Sequence, residues 1–106
     1  MVSDGALDPG VPGGGQHRSA TVAPAPELDM LTAPALVSDV DALVAAGCTA
    51  VEVSLADVTF IDSSGLHALV RLKTRYAGPQ VEVRVVGATP RVRRVFEIAA
   101  LGSFLD

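Results

Sequence analysis

The sequence has few of the residues on which disulfides, metal sites and nucleic-acid-binding surfaces depend. It contains one cysteine, Cys48, which excludes an internal disulfide and a zinc site made of several thiolates. Its two histidines, one of them at position 17, make no metal-ligand set. Eight basic residues stand against twelve acidic ones, and the net charge of −4 argues against a nucleic-acid-binding face. Because Cys48 has no partner thiol, we expect it to be a small buried hydrophobe or an inert loop thiol.

The sequence also lacks the features of exported and membrane-spanning proteins. Its first residues, Met-Val-Ser-Asp, form neither a basic start nor an apolar stretch, unlike a secretory signal. No apolar run approaches the about 20 residues that a membrane-spanning helix needs. We therefore expect a cytoplasmic domain that contacts no membrane.

The composition is that of a chain that folds, except at its start. Apolar residues make up 49% of the 106 residues and charged residues 19%, which suits one compact domain. Residues 1–18 differ, because five glycines and two prolines leave few apolar side chains to bury. We predict a flexible tail over residues 1–18 and a folded domain over residues 19–106.

Hydrophobic spacing predicts helices and strands that alternate along the chain. Apolar residues recur at helical spacing in three segments, at residues 32–46, 63–77 and 89–99. Apolar and polar residues alternate in two segments, at residues 50–55 and 81–85. Thr32 and Thr89 each precede a proline-containing first turn and are predicted N-caps. A further short strand at residues 19–23 is ended by Pro24, which confines it to a sheet edge.

The strand pattern indicates how the layers are arranged. Strands that are buried on both faces read as continuous apolar runs, so this alternation predicts helices on one face of the sheet only. The order strand, helix, strand, helix, strand, helix requires right-handed crossovers and mainly parallel pairing, and the fold class is therefore α/β. We place Asp39 and Asp41 on the outer face of the first helix. Phe104 and Leu105 are predicted to fold back as a terminal plug.

The segment at residues 58–66, Val-Thr-Phe-Ile-Asp-Ser-Ser-Gly-Leu, is the one most indicative of function. Helix capping explains one or two of its polar residues, because Asp and Ser side chains bond the free N–H groups of a first turn. Capping does not explain two adjacent serines before Gly65 at the carboxyl end of a strand, where open sheets bind their ligands. The pattern therefore indicates a binding site at the start of the second helix.

An enzymatic interpretation of this segment is weak. Ser63 and His67 are four residues apart and share a helical face, which makes them the candidate nucleophile and base. No second acid is placed to orient the imidazole, and the Gly-x-Ser-x-Gly elbow is absent. No glycine-rich phosphate loop follows a strand either. We predict that the chain is not an enzyme.

Residues 58–72 closely resemble the signature of STAS domains, the family of the anti-sigma factor antagonists. The resemblance extends from about residue 27 to the end of the chain. Residues 27–29 and 32–34 are similar to the family's approach to its first helix, residues 85–95 to its last strand and helix, and residues 101–104 to its ending. The resemblance implies a mixed four- to five-stranded sheet with helices packed on one face. It also implies a regulatory binding module without a metal or cofactor.

The same resemblance implies a partner-switching function. In the phosphorylated members of the family the modified residue is the serine directly after the aspartate, which here is Ser63. The unphosphorylated form would bind an anti-sigma factor serine kinase, an ATPase of the histidine-kinase-like type, and so free a sigma factor. Phosphorylation would end this binding, and a PP2C-type phosphatase would restore it. The alternative is a STAS scaffold or accessory module of a stress-signalling or lipid-transport complex. The expected partner-binding residues are Thr59, Asp62, Ser63, Ser64, Gly65, His67 and Arg71.

Overall fold

The structure is a computed structural model that describes residues 18–106, so the tail predicted for residues 1–18 lies outside the described residues, apart from Arg18. The described part contains five strands, three α-helices and one short 3-10 helix. In chain order these are β1 (Ser19–Val22), β2 (Glu27–Leu28), α1 (Ala33–Ala45), β3 (Ala50–Ser54), β4 (Phe60–Ile61), α2 (Ser63–Arg75), β5 (Glu82–Val86), α3 (Pro90–Ile98) and the 3-10 helix Gly102–Phe104.

Every strand pairing within residues 18–106 is parallel. Strand β3 lies between β1 and β5, with Val53 opposite both Val22 and Val85, while β2 pairs with β4 in a separate ladder. The α/β class and the parallel pairing are confirmed. The main sheet has three strands, fewer than the four to five expected, and β2 and β4 form a separate two-stranded parallel sheet. Two causes act together: Pro24 and Pro26 lack the N–H groups of a continuous ladder, and the facing chain turns away after Leu55.

The two long strands bury one face and leave the other partly exposed, as their alternation predicts. Val51 and Val53 of β3 are fully or almost fully buried, as is Val85 of β5. On the opposite face, Glu52 lies across from Arg84 and forms an ion pair with it at 3.4 Å. The buried face packs against α1 and α2, while α3 contacts β4 and the 3-10 helix. Cys48 is buried, as expected of a small buried hydrophobe.

Thr32 stands at the N-cap position of α1 but does not cap the helix through its hydroxyl. Its backbone is helical, with φ −103° and ψ −23°, which turns the side chain away from the first-turn N–H groups. The hydroxyl instead donates to the Glu27 carbonyl at 2.6 Å and accepts from the Asp29 N–H at 3.0 Å. Thr89 has the extended backbone of an N-cap and accepts from the Val92 N–H, as predicted. Thr32 therefore ties α1 to the end of β2.

The prediction that Asp41 lies on the outer face of α1 is wrong. Its carboxylate accepts hydrogen bonds from the Tyr76 hydroxyl and, at 2.6 Å, from the Arg75 guanidinium. The Tyr76 hydroxyl and then Arg75 lower the pKa of Asp41 below its usual value. Helix packing brings α1 against α2, so this carboxylate reaches the last turn of α2. Asp39 is exposed, as predicted, and α2 ends at Arg75, two residues earlier than expected.

The end of the described chain closes over the outer edge of β5. Phe104 and Leu105 pack against the core, which confirms the predicted plug. The Asp106 N–H donates to the Val85 carbonyl at 2.8 Å, and the Asp106 carboxylate accepts from the Val85 N–H at 2.8 Å. The same carboxylate forms an ion pair with Lys73. These contacts satisfy backbone groups that an edge strand would otherwise leave open.

Candidate functional site

The Asp-Ser-Ser-Gly turn joins β4 to α2 and fixes where α2 begins. Asp62 has an extended backbone, with φ −111° and ψ −172°, and its carboxylate accepts from the Gly65 N–H at 3.0 Å. This is the capping bond that the sequence predicts. The Asp62 N–H donates to the Leu28 carbonyl at 3.2 Å, which continues the ladder between β2 and β4. Because Asp62 bonds on both sides, the position of Ser63 relative to the sheet is well determined.

Gly65 is buried beneath this turn, where no larger residue fits. A Cβ atom at this position would lie 2.4 Å from the Leu28 carbonyl oxygen and 2.8 Å from Cγ1 of Ile61. Real Cβ atoms do not approach backbone oxygens that closely, so a side chain would push β2 and α2 apart. Because Gly65 has no side chain, the first turn of α2 packs directly on β2, on the core side of the Asp-Ser-Ser-Gly turn.

The two serines of the turn have different environments. Ser63 is the first residue of α2 and is exposed, whereas Ser64 is half-buried and lines a groove between α1 and α2. Within residues 18–106 neither serine side chain forms a hydrogen bond, and in particular none joins Ser63 to His67. The Ser63 hydroxyl is thus open to solvent, beside the Asp62 carboxylate and the free N–H groups of the helix start.

The groove between α1 and α2 has a volume of about 570 Å³ and two chemically different walls. Exposed His67 and Arg71 of α2 stand with Ser64 along one wall. The other wall is supplied by α1 and the loop before it, and its residues are Met30, Ala33, Pro34, Val37, Ser38 and Asp41. A polar ridge therefore faces a mainly apolar one, directly beside the Asp-Ser-Ser-Gly turn.

The structure groups some of the predicted site residues and separates others. Ser64, His67 and Arg71 share the groove, and Asp62 and Ser63 directly precede Ser64 at the start of the same helix. Thr59 is exposed too, but it lines a different hollow, at the start of α3, and its N–H donates to the Pro26 carbonyl at 2.8 Å.

Sequence analysis missed two exposed apolar residues next to the groove. Met30 is 70% exposed and Leu31 is 82% exposed, and both lie in the loop between β2 and α1. Because this loop is neither a helix nor a strand, its apolar side chains do not belong to an amphipathic pattern. Their position between Asp29 and Thr32, which form the turn, is the sequence signal that could have identified them.

The described residues hold no group of three or more side chains arranged to bind a metal ion. Among residues 18–106 no helix is long and apolar enough to cross a membrane.

Comparison with known proteins identifies the family of this fold. The model of the STAS-domain family matches residues 15–105. No curated protein matches the chain in sequence.

Three solved structures share the fold at low sequence identity. The anti-sigma factor antagonist SpoIIAA in its unphosphorylated form gives a TM-score of 0.70 at 17% identity, over 89% of this chain and 83% of that one. The phosphorylated form of SpoIIAA from Bacillus gives 0.64 at 17% identity, over 89% and 86%. The murine anion transporter Slc26a9 gives 0.62 at 18% identity, over 76% of this chain but 13% of the transporter. At such identities the likeness establishes the fold alone.

Proposed function

Because this chain belongs to the STAS-domain family, we propose that it is an anti-sigma factor antagonist that phosphorylation of Ser63 switches off. In its unphosphorylated form it binds, in the cytoplasm, an anti-sigma factor serine kinase, an ATPase of the histidine-kinase-like type, and so frees a sigma factor. A PP2C-type phosphatase returns the modified form to the binding state. The protein acts as a binding module and not as an enzyme. Its likeness to SpoIIAA, itself an anti-sigma factor antagonist solved in both phosphorylation states, supports this function.

The exposure of Ser63 is the observation that carries the proposal. A kinase must reach the hydroxyl that it modifies, and Ser63 is exposed while Ser64 is half-buried against the groove. The helix start tolerates a phosphate, because its free N–H groups and the positive end of the helix dipole favour a negative charge. The Asp62 carboxylate bonds only the Gly65 N–H in the described structure, so other first-turn N–H groups stay available.

A phosphate at Ser63 acts on the interface more than on the fold. It adds about −1.5 to −2 charges beside Asp62, on a chain whose net charge is already −4. A partner that packs closely against a neutral hydroxyl would have to desolvate this charge or move away. A loss of about 3 kcal/mol of binding free energy lowers affinity by about a hundredfold, which is enough to release the partner.

The proposed partner surface is the turn at residues 62–65 together with the exposed ridge of α2. His67 and Arg71 are exposed, stand on the same side of α2 as Ser64, and offer one positive charge and one imidazole. Exposed Met30 across the groove adds apolar area beside them. Thr59 belongs to this surface only if the partner also extends towards α3.

The match to Slc26a9 favours a second candidate function. Only 13% of that anion transporter corresponds to this fold, so in that protein the fold is one part of a much larger chain. The alternative is an accessory or scaffold module in a stress-signalling or lipid-transport complex. Such a module would keep its partner whether or not Ser63 is phosphorylated.

A pull-down that uses the unmodified protein as bait, with and without ATP, separates the two functions. Mass spectrometry then identifies the prey and locates any phosphate on the bait. We expect an anti-sigma factor kinase without ATP, and its release together with phosphate on Ser63 when ATP is added. The Ser63→Ala variant should keep the kinase in both conditions, and Ser64→Ala should behave like the wild type. A transport or scaffold protein as the prey, unaffected by ATP, would establish the alternative.

A further inference from the structure

Helix α3 carries three of the eight basic residues of this acidic chain. Arg91, Arg93 and Arg94 are all exposed, and within residues 18–106 none of them forms an ion pair. Three other basic side chains in the same part of the structure do have an acidic partner. The cations of α3 are therefore concentrated on one helix and left unpaired, in a protein with a net charge of −4.

The exposed surface of α3 is a stripe that ends in an apolar residue. Arg91, Arg94 and Ile98 are spaced three and four residues apart, so they lie along one side of the helix. Ile98 is 76% exposed, so the stripe ends in a large apolar side chain on an otherwise charged surface. Arg93 lies on a neighbouring face, one turn before Glu97.

A hollow of about 290 Å³ adjoins the first turn of this stripe. It lies between α3 and the connection from β3 to β4, and its lining residues are Ala56, Val58, Thr59, Thr89, Pro90 and Arg91. Arg91 thus belongs both to the hollow and to the stripe. The result is a continuous surface with an apolar recess at one end, two guanidinium groups in the middle and an exposed isoleucine at the other end.

We propose that this surface, made of the hollow together with Arg91, Arg94 and Ile98, binds an acidic segment of a partner protein. Carboxylates on the segment pair with the two guanidinium groups, whose planar geometry suits bidentate contacts. Apolar side chains on either side of the carboxylates fill the hollow and cover Ile98. The recognised chemistry is therefore an acidic peptide with interspersed apolar residues, and this surface is separate from the groove between α1 and α2.

Two other negatively charged partners fit this surface less well. An amphipathic helix binds a membrane by inserting its apolar face, but the apolar face of α3, with Val92 and Phe96, is buried in the core. A nucleic acid carries a dense negative charge along its whole length, and the net charge of −4 repels it beyond the patch itself. A short acidic peptide meets only the local charge of α3.

Fluorescence anisotropy with a labelled peptide that repeats Leu-Glu-Glu tests this inference on the whole chain. We expect the peptide to bind at low salt and to be released as salt is added. The Arg94→Gln variant should bind about fivefold more weakly or worse, because it loses a charge-assisted contact at the centre of the surface. Ile98→Ser should weaken the peptide as well. The matched control is Arg84→Gln, which removes the same charge from the exposed sheet face and should leave the affinity unchanged.

The probe does not depend on the anti-sigma factor kinase, so the result stands apart from the function proposed above. Equal losses for Arg94→Gln and Arg84→Gln would reduce the effect to net charge and overturn the inference. Undiminished binding of a peptide that repeats Ser-Glu-Glu would overturn its apolar part. If anionic vesicles or RNA bind through Arg94 while the Leu-Glu-Glu peptide does not, the assignment to an acidic protein segment is wrong.

Discussion

At the scale of single residues, the Asp-Ser-Ser-Gly turn combines an exposed residue with a buried one. Ser63 is exposed, whereas Gly65 is buried two residues later against the Leu28 carbonyl and Ile61. Asp62 links these two environments, because its carboxylate accepts from the Gly65 N–H while its own N–H donates to Leu28. The turn therefore fixes geometry as well as chemistry, because Asp62 and Gly65 hold the helix start on which the exposed Ser63 stands.

The Gly65→Ala variant tests this close packing. The added methyl group would lie 2.4 Å from the Leu28 carbonyl oxygen, so backbone must move to admit it. We expect the free energy of unfolding to fall by about 1–3 kcal/mol, which is typical of overpacking a tight site. Urea denaturation followed by circular dichroism measures it. Gly78→Ala is the matched control, because nothing lies within 4 Å of a Cβ at that exposed position, and it should not destabilise the fold.

At the scale of secondary-structure elements, side chains join helices and strands that the sequence pattern treats separately. Asp41 of α1 binds Arg75 and Tyr76 at the end of α2, and Asp106 binds both Lys73 of α2 and Val85 of β5. Burial raises the pKa of Asp106, but hydrogen bonds from Lys73 and the Val85 N–H outweigh it, so the pKa lies below its usual value. Because these contacts are made by ionised carboxylates, their contribution to stability depends on pH.

The Asp106→Asn variant measures that connection. A carboxyl group with a depressed folded pKa stabilises the protein above its unfolded pKa, near 3.8, and the contribution disappears as the pH falls through the folded pKa. We expect the variant to be about 1 kcal/mol less stable than the wild type at pH 7, because it loses a charge-assisted pair. The difference should shrink once the pH falls below about 4. Thermal denaturation across this range tests it.

Asp39→Asn is the control for that titration. Asp39 is exposed and forms no hydrogen bond or ion pair within the described residues, so its replacement should change stability little. A gap between Asp106→Asn and wild type that persists at low pH would show that the amide disturbs packing, and that the charge of Asp106 is not what matters.

The exposed ridge of α2 is the element that we expect the partner to contact. Replacing His67 and Arg71 together by alanine should weaken the complex with the anti-sigma factor kinase, because both side chains project from the surface beside Ser64. The melting temperature should change little, since neither residue is buried. Isothermal titration calorimetry measures the affinity. An unchanged affinity would remove this face of α2 from the interface.

At the scale of the whole molecule, the sequence predicts the elements better than their connections. The alternation of Val51, Val53 and Leu55 identifies a strand with one buried face, and all three are buried. Local capping chemistry likewise locates the start of α2 at Ser63. These predictions succeed because each depends on residues that are neighbours in the chain.

Features that depend on residues distant in the chain could not be predicted in the same way. The separation of the strands into two ladders depends on which backbone segment lies opposite Pro24 and Pro26. That pairing is decided only when the chain folds. The contact of Asp41 with Tyr76 joins residues that are 35 positions apart. The groove between α1 and α2 likewise forms only once the two helices pack. The sequence indicated some residues of this groove as candidate contacts, but it did not indicate that the residues of the two helices would lie close together.

The switch at Ser63 is the central claim, and calorimetry with phosphoserine installed at position 63 tests it most directly. The titrated partner is the anti-sigma factor kinase, and the unmodified protein is the reference. We predict that phosphoserine at position 63 lowers the affinity by about a hundredfold while the melting temperature stays within a few degrees of the unmodified protein. An affinity equal to that of the unmodified protein would contradict the assignment of Ser63 as the switch.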